Sequence, residues 1–84
     1  EYPNAGSVFK RTPQDFPGAL VEKAGLKGFS IGGAMVSPKH ANFIINTGNA
    51  TAQNIYDLTS AIIETVFKQT GITLEREIIF LGDF

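Results

Sequence analysis

A serine near the start of the chain and a glutamate near its end are the first candidates for chemistry. Ser7 stands in the segment Asn4-Ala5-Gly6-Ser7-Val8-Phe9, where a glycine turn runs into a short apolar strand. Serine beside glycine is also common in ordinary turns, and no Gly-x-Ser-x-Gly elbow indicates a hydrolase nucleophile. Glu77 belongs to the closing strand, where an exposed glutamate is the usual finding. The local pattern alone therefore assigns no function to either residue.

The composition describes one globular domain and excludes several kinds of function. With 43% hydrophobic and 18% charged residues, the 84-residue chain can bury one modest core. Its net charge of −1 argues against a nucleic-acid partner, and no apolar run approaches the ~20 residues of a membrane span. One histidine and no cysteine leave no disulfide and argue against a metal site. No signal peptide is evident, and the opening at Glu1 rather than methionine predicts a trimmed or processed fragment.

The elements around the serine follow from local signals. Residues 7–10 predict a short strand after a turn over residues 1–6, and a polar loop comes next. Asp15 and Pro17 are typical of a helix start, because the acid accepts free amide hydrogens and proline suits the first turn. Gly25 is expected to end this helix. The buried side of the helix is expected to comprise Leu20, Val21 and Ala24.

Two further strands are expected in the middle of the chain. The alternating residues from Phe29 to Val36 predict one strand with a bend or bulge at Gly32-Gly33. The apolar run within residues 42–46 is consistent with a strand that is covered on both faces.

A long amphipathic helix is the clearest element. Thr51 is its expected N-cap and Gly71 its expected stop. A final strand from Ile72 to Leu81 places Glu77 on the face opposite to Arg76. Strands interleaved with two helices predict an α+β fold, a small mixed or antiparallel sheet with the two helices packed on it. The apolar stripe of the long helix comprises Ile55, Leu58, Ile62, Ile63, Val66 and Phe67.

The chain resembles one known family in several segments that occur in order. They are N-A-G-S-V-F-K (4–10), G-A-L-V-E-K-A-G-L-K-G (18–28), I-G-G-A-M-V (31–36), K-H-A-N-F-I-I-N-T (39–47) and L-E-R-E-I (74–78). The family is that of UDP-N-acetylenolpyruvoylglucosamine reductase (MurB), a flavoenzyme of peptidoglycan synthesis. The resemblance covers its C-terminal, substrate-binding domain over nearly all of residues 1–84. The FAD-binding domain of the family is expected to precede these residues, outside this chain.

The resemblance implies a cytoplasmic oxidoreductase that serves cell wall biogenesis, and through it cell shape and cell division. NADPH would reduce FAD, and the reduced flavin would pass hydride to the enolpyruvyl group of UDP-N-acetylglucosamine enolpyruvate. The resulting enolate must be protonated to give UDP-N-acetylmuramate. By motif position Ser7 supplies that proton, and Glu77 assists near the reacting carbon. A fixed orientation makes such a transfer from a hydroxyl competitive.

The resemblance also implies contacts with the sugar nucleotide. Lys27 matches a family lysine that contacts substrate, and His40 occupies another contact position. Arg11 stands where many relatives have asparagine, but an arginine can pair with phosphate oxygens. No residue of this chain is expected to bind FAD or a metal, and the domain alone is expected to be inactive and to bind no flavin.

Two other functions stay open on the residues alone. One is a stand-alone, non-catalytic module that holds a nucleotide sugar, and the other is a small interaction domain without a ligand. A pure binding module would need neither Ser7 nor Glu77 as proton-transfer groups. The presence of both therefore favours the enzyme fragment.

Overall fold

A four-stranded antiparallel sheet and two helices make up the described part of the chain. A computed structural model describes the main chain of residues 4–77 and the side chains of residues 8–77. The sheet order is β1-β4-β3-β2, and each neighbouring pair is antiparallel. This architecture confirms the predicted α+β class. In chain order the elements are β1 (Asn4–Ser7), α1 (Pro17–Lys23), β2 (Ser30–Ile31), β3 (Ala34–Val36), β4 (Phe43–Asn46) and α2 (Ala52–Thr70).

The first strand begins earlier than the sequence predicted. β1 covers Asn4–Ser7, so Gly6 lies inside a strand and not in the turn expected over residues 1–6. The register between β1 and β4 shifts between Asn4 and Gly6, as at a β-bulge. A bulge accommodates glycine within a strand, which explains why the glycine was misread as a turn. Of the expected strand over residues 7–10, only Ser7 is part of β1, and Phe9 forms a single bridge with Arg76.

Residues 30–36 form a hairpin, which corrects the prediction of one bent strand. Ile31 pairs with Ala34, so Gly32 and Gly33 form a two-residue turn between β2 and β3. Gly32 has a φ of +57° and Gly33 has no positive φ, the pattern of a type II′ turn. Alternating side chains are common to a single strand and to two strands joined tightly, so alternation could not distinguish them.

α1 has the predicted bounds but not the predicted cap. Pro17 occupies its first turn, and Gly25, with a φ of +75°, follows its end. The N-cap is Phe16, whose own amide donates to Asp15 Oδ1 at 2.8 Å. No side chain accepts from the helix amides themselves, so the capping role expected of Asp15 is wrong.

α2 begins and ends where the sequence predicted. Thr51 Oγ1 accepts from the amide of Asn54 at 3.0 Å, and Asn54 Oδ1 accepts from the amide of Thr51 at 3.1 Å. This reciprocal pair is a capping box. Gly71, with a φ of +76°, accommodates the left-handed conformation that ends the helix.

The core lies where α2 and α1 meet the sheet. Phe67, expected in the core, is 52% exposed, and Ile63 is only half-buried. These two residues are four positions apart and lie on the flank of the apolar stripe. The buried core comprises Val8, Phe9, Leu20, Val21, Ala34, Val36, Ala41, Ile44, Ala50, Ile55, Leu58, Ile62, Val66 and Leu74.

The predicted final strand is described only as far as Glu77, and residues 78–81 lie outside the described residues. Within residues 72–77, Leu74 is buried, whereas Thr73, Glu75 and Glu77 are exposed. These six residues form no strand and pair only through the single bridge between Arg76 and Phe9, so the strand predicted to begin at Ile72 is wrong over the described residues. Among the described residues, no helix has the length and apolar character needed to cross a membrane.

Candidate active site at one end of the sheet

One end of the sheet collects the main chain of most of the predicted site residues. β1 and β3 finish at this end and β4 begins there, because Ser7 pairs with Phe43 and Val36 pairs with Ile44. We call this edge, formed by the last residues of β1 and β3 and the first of β4, the Ser7 end of the sheet. The Gly32-Gly33 turn lies at the opposite end.

Glu77 lies beside the chain that leaves β1. Its amide donates to the carbonyl of Val8 at 2.7 Å, and the amide of Lys10 donates to the carbonyl of Glu75 at 2.9 Å. These two bonds enclose the Phe9–Arg76 bridge. The main chain of Glu77 therefore pairs one residue away from Ser7, and its carboxyl group is exposed.

Asn42 secures the segment that follows Ser7. Its carbonyl accepts from the amide of Val8 at 3.0 Å. Its side-chain Oδ1 accepts from the amide of Phe9 at 3.0 Å, and its Nδ2 donates to the carbonyl of Phe9 at 3.3 Å. Sequence reasoning did not single out Asn42, although it lies inside the 39–47 segment that carries the family resemblance. An amide that bonds both main-chain groups of one residue fixes the position of that residue closely.

His40 reaches the Ser7 end through the loop before β4. The buried Ser37 holds this loop, because its Oγ accepts from the amides of Lys39 and His40 at 3.1 and 3.2 Å. The His40 carbonyl accepts from the amide of Phe43 at 2.9 Å, and the two rings lie 5.6 Å apart. The exposed His40 therefore contacts Phe43, the residue whose main chain pairs with that of Ser7.

Lys27 reaches the same end from the loop after α1. The amide of Gly28 donates to the carbonyl of Val36 at 2.9 Å, which attaches this loop to the end of β3. Lys27 Nζ lies 3.2 Å from Glu22 Oε1, and its side chain is 34% exposed. An ion pair with this much solvent contact contributes about 0–1 kcal/mol, so a bound anion can replace Glu22 as the partner of the lysine.

Arg11 is set apart from the other two predicted substrate contacts. Its guanidinium lies 4.6 Å from the centre of the Phe16 ring. It also lines a cavity of about 280 Å³ between residues 10–14 and 71–75. The described contacts of Arg11 thus face the start of α1 and the chain after α2. They do not bring it to Lys27 or His40.

The adjacent glycines of this chain do not fit the diphosphate of a flavin dinucleotide. A phosphate-binding loop needs open main-chain amides that a ligand can approach. A Cβ added to Gly33 would lie 2.2 Å from the carbonyl oxygen of Gly48 and 2.6 Å from the amide nitrogen of Ala50. The space beside Gly33 is therefore filled by the main chain of Gly48 and Ala50, at the end of the sheet away from Ser7.

Comparisons with known proteins agree on one family. The family model for UDP-N-acetylenolpyruvoylglucosamine reductase, C-terminal domain, matches residues 1–81. The reductase of that name from Caldicellulosiruptor bescii is 54% identical over 83 residues, which are 99% of this chain and 26% of the relative. The one from Nitrosospira multiformis is 56% identical over 80 residues, 95% of this chain and 23% of the relative.

A solved structure supports the same assignment. The crystal structure of UDP-N-acetylenolpyruvylglucosamine reductase (MurB) from Thermus caldophilus superimposes with a TM-score of 0.67 and 36% sequence identity, covering 88% of this chain and 26% of that one. The chain spans about a quarter of the length of the curated relatives it matches. Since the family model covers nearly every residue, the chain belongs to the UDP-N-acetylenolpyruvoylglucosamine reductase family and corresponds to its C-terminal domain.

Proposed function

We propose that these residues form the substrate domain of an NADPH- and FAD-dependent reductase. The complete enzyme would convert UDP-N-acetylglucosamine enolpyruvate to UDP-N-acetylmuramate for peptidoglycan synthesis, in the cytoplasm. Family membership supports the reaction class. The main support for the site is the hydrogen bond between the amide of Glu77 and the carbonyl of Val8. This bond places the main chain of Glu77 next to that of Ser7 at one end of the sheet.

Ser7 is the proposed proton donor. Reduction of the enolpyruvyl double bond adds hydride to one carbon and leaves a carbanion-like centre on its neighbour. A serine hydroxyl is a weak acid, so it must be held against that carbon to compete with water. β4 on one side and the Asn42 contacts to residues 8–9 supply this rigidity. Glu77 assists from the adjacent segment.

Lys27 and His40 are the proposed contacts for the sugar nucleotide. Both lie on the Ser7 end, Lys27 beside β3 and His40 beside β4. Neighbouring strands lie about 4.8 Å apart, so β3 is roughly 10 Å from β1. An extended diphosphate linked to a sugar can span such a distance, with the enolpyruvyl group at Ser7 and a phosphate at Lys27. Arg11 lies on the side of Ser7 that is away from Lys27, so it would contact a different part of the ligand.

The flavin and NADPH are assigned to the part of the enzyme outside these residues. The reduced flavin would supply hydride to the substrate that this domain holds. The contribution of residues 4–77 is to bind and orient the sugar nucleotide and to deliver the proton. The 84 residues alone are therefore expected to show no reductase activity.

The test separates the two halves of the reaction in the complete enzyme. Ser7→Ala should leave flavin reduction by NADPH intact and should slow flavin reoxidation by the enolpyruvyl substrate by a factor of roughly 100 or more, the usual contribution of a positioned proton donor. Stopped-flow absorbance of the flavin measures both steps. Ser30→Ala, at an exposed serine of β2, is the matched control. A reoxidation rate equal to that of the control would reject the role of Ser7 and leave a binding module as the function.

A further inference from the structure

Arg76, the residue before Glu77, is anchored on α2 by three contacts. Its Nε donates to Thr59 Oγ1 at 2.8 Å, and its Nη2 donates to Ser60 Oγ at 2.7 Å. Its guanidinium carbon lies 4.7 Å from the centre of the Tyr56 ring. None of the ion pairs found among residues 8–77 involves Arg76. The guanidinium is thus fixed by hydroxyl groups and an aromatic face.

The bond to Thr59 has a defined direction. Arginine has five N–H donors and no acceptor, so the hydroxyl of Thr59 must accept from it. The hydrogen of that hydroxyl points back into the helix, where Oγ1 lies 2.9 Å from the carbonyl of Ile55 and 3.0 Å from that of Tyr56. Thr59 is completely buried. A buried hydroxyl with both roles filled provides a rigid attachment for the arginine.

The main chain of Arg76 connects this attachment on α2 to the candidate site. Arg76 pairs with Phe9, and the bonds on either side of the pair join Lys10 to Glu75 and Glu77 to Val8. Successive side chains of an extended segment point to opposite faces. The side chain of Arg76 therefore bonds to α2, and the side chain of Glu77, the next residue, points to the opposite face.

We propose that Arg76 is a positioning residue for Glu77, acting through its attachment to Thr59 and Ser60. The proposal rests on the proposed function, because it assumes that Glu77 assists in flavin reoxidation. Arg76 takes no part in proton transfer itself. It keeps the 75–77 segment in register against residues 8–10, and so keeps the carboxyl group of Glu77 at a constant position relative to Ser7.

The experiment uses the complete reductase with one substitution at each end of the hydrogen bond between Arg76 and Thr59. Arg76→Lys keeps the charge but loses the planar fork, and Thr59→Val keeps the shape but removes the acceptor. Each should slow flavin reoxidation by the enolpyruvyl substrate about tenfold at saturating substrate, because small misplacements of a reacting group are costly. Flavin reduction by NADPH should not change. Lys68→Gln, which removes a cation bonded to Glu64 on the same helix, is the control and should leave both rates unchanged.

A double-mutant comparison separates positioning from general stability. If Arg76 acts through Glu77, then Arg76→Lys should slow the step no further once Glu77→Gln is present, since the two changes remove one effect. Equal tenfold slowing in both backgrounds would overturn the proposal, as would normal reoxidation in both anchor variants while Glu77→Gln alone is slow. Normal reoxidation in Glu77→Gln would instead reject the proposed role of Glu77, and the anchor proposal with it. A lower melting temperature with unchanged rates would assign Arg76 a structural role only.

Discussion

The amide of Glu77 donates a hydrogen bond of 2.7 Å to the carbonyl of Val8, the residue that follows Ser7. This bond joins the first and last parts of the described chain beside the edge strand β1. The candidate site therefore exists only when the last segment has paired with the first. A change that loosens residues 8–9 should then affect both the stability of the domain and the step assigned to Ser7.

Asn42→Ala tests this coupling. The change removes the side-chain partners of both main-chain groups of Phe9, a residue that is only 4% exposed. Leaving such groups unpaired should cost about 1–3 kcal/mol of unfolding free energy. Because this chain is about a quarter of the length of the complete reductases it matches, the melting temperature of the whole enzyme should fall by no more than roughly 2–4 °C for each kcal/mol. Scanning calorimetry of the complete reductase measures the shift, and flavin reoxidation should slow in the same variant.

The control for Asn42 is an amide on the exposed side of α2. Gln53 Nε2 donates to Asp57 Oδ1 at 2.8 Å, and both residues are exposed. Gln53→Ala should change stability by less than about 0.5 kcal/mol, as surface substitutions usually do. Equal melting temperatures for the two variants would show that the contacts of Asn42 do not hold residues 8–9 in place.

The elements that sequence predicted well are those with a local cause. The capping box at Thr51, the glycines after both helices and the apolar stripe of α2 each act within one or two turns of chain. The interactions that define these features join residues close together in sequence, so their bounds could be predicted from the residues alone. The α+β class followed from the order of these elements.

The elements that sequence missed depend on partners far along the chain. Gly6 suggested a turn, but pairing with β4 draws it into a bulged strand. Phe67 has the spacing of a core residue, but it lies on the flank of the apolar stripe and is 52% exposed. Asn42 and Arg76 were assigned no role, because their contacts reach residues that are 33 and 17 positions away. The residue types carried no local sign of these bonds.

Gly33→Ala tests the close approach between the hairpin and the chain before α2. The new Cβ would lie 2.2 Å from the carbonyl oxygen of Gly48, a main-chain atom that cannot rotate away. Such overpacking against main-chain atoms should cost about 1–3 kcal/mol of unfolding free energy. Calorimetry should show a clear fall in melting temperature while the Ser7 end, at the other end of the sheet, keeps its geometry.

Gly18→Ala is the matched control for Gly33. A Cβ at Gly18 would meet Asn42 at 3.7 Å, an ordinary contact, and the residue lies inside α1 without a positive φ. Gly18 is the second residue of α1, so alanine gains at most the roughly 0.5–1 kcal/mol by which it is favoured over glycine in a helix interior. This variant should be neutral or slightly more stable. A loss of stability as large as that of Gly33→Ala would contradict the packing described at both sites.

Lys27→Met tests the proposed phosphate contact, and Lys23→Met, at a lysine with a similar ion pair, is its control. Lys27 bonds to Glu22 at 3.2 Å and Lys23 to Asp15 at 3.5 Å, so each variant loses one solvent-exposed pair of little energy. A charge-assisted bond to a ligand is worth about 1.5–3 kcal/mol, so Lys27→Met should raise the KM for the enolpyruvyl sugar nucleotide at least tenfold. The kcat should change little, because the contact is the same in the ground state and the transition state. Lys23→Met should leave KM unchanged, and steady-state kinetics of the complete reductase that gave the same KM for both variants would remove Lys27 from the site.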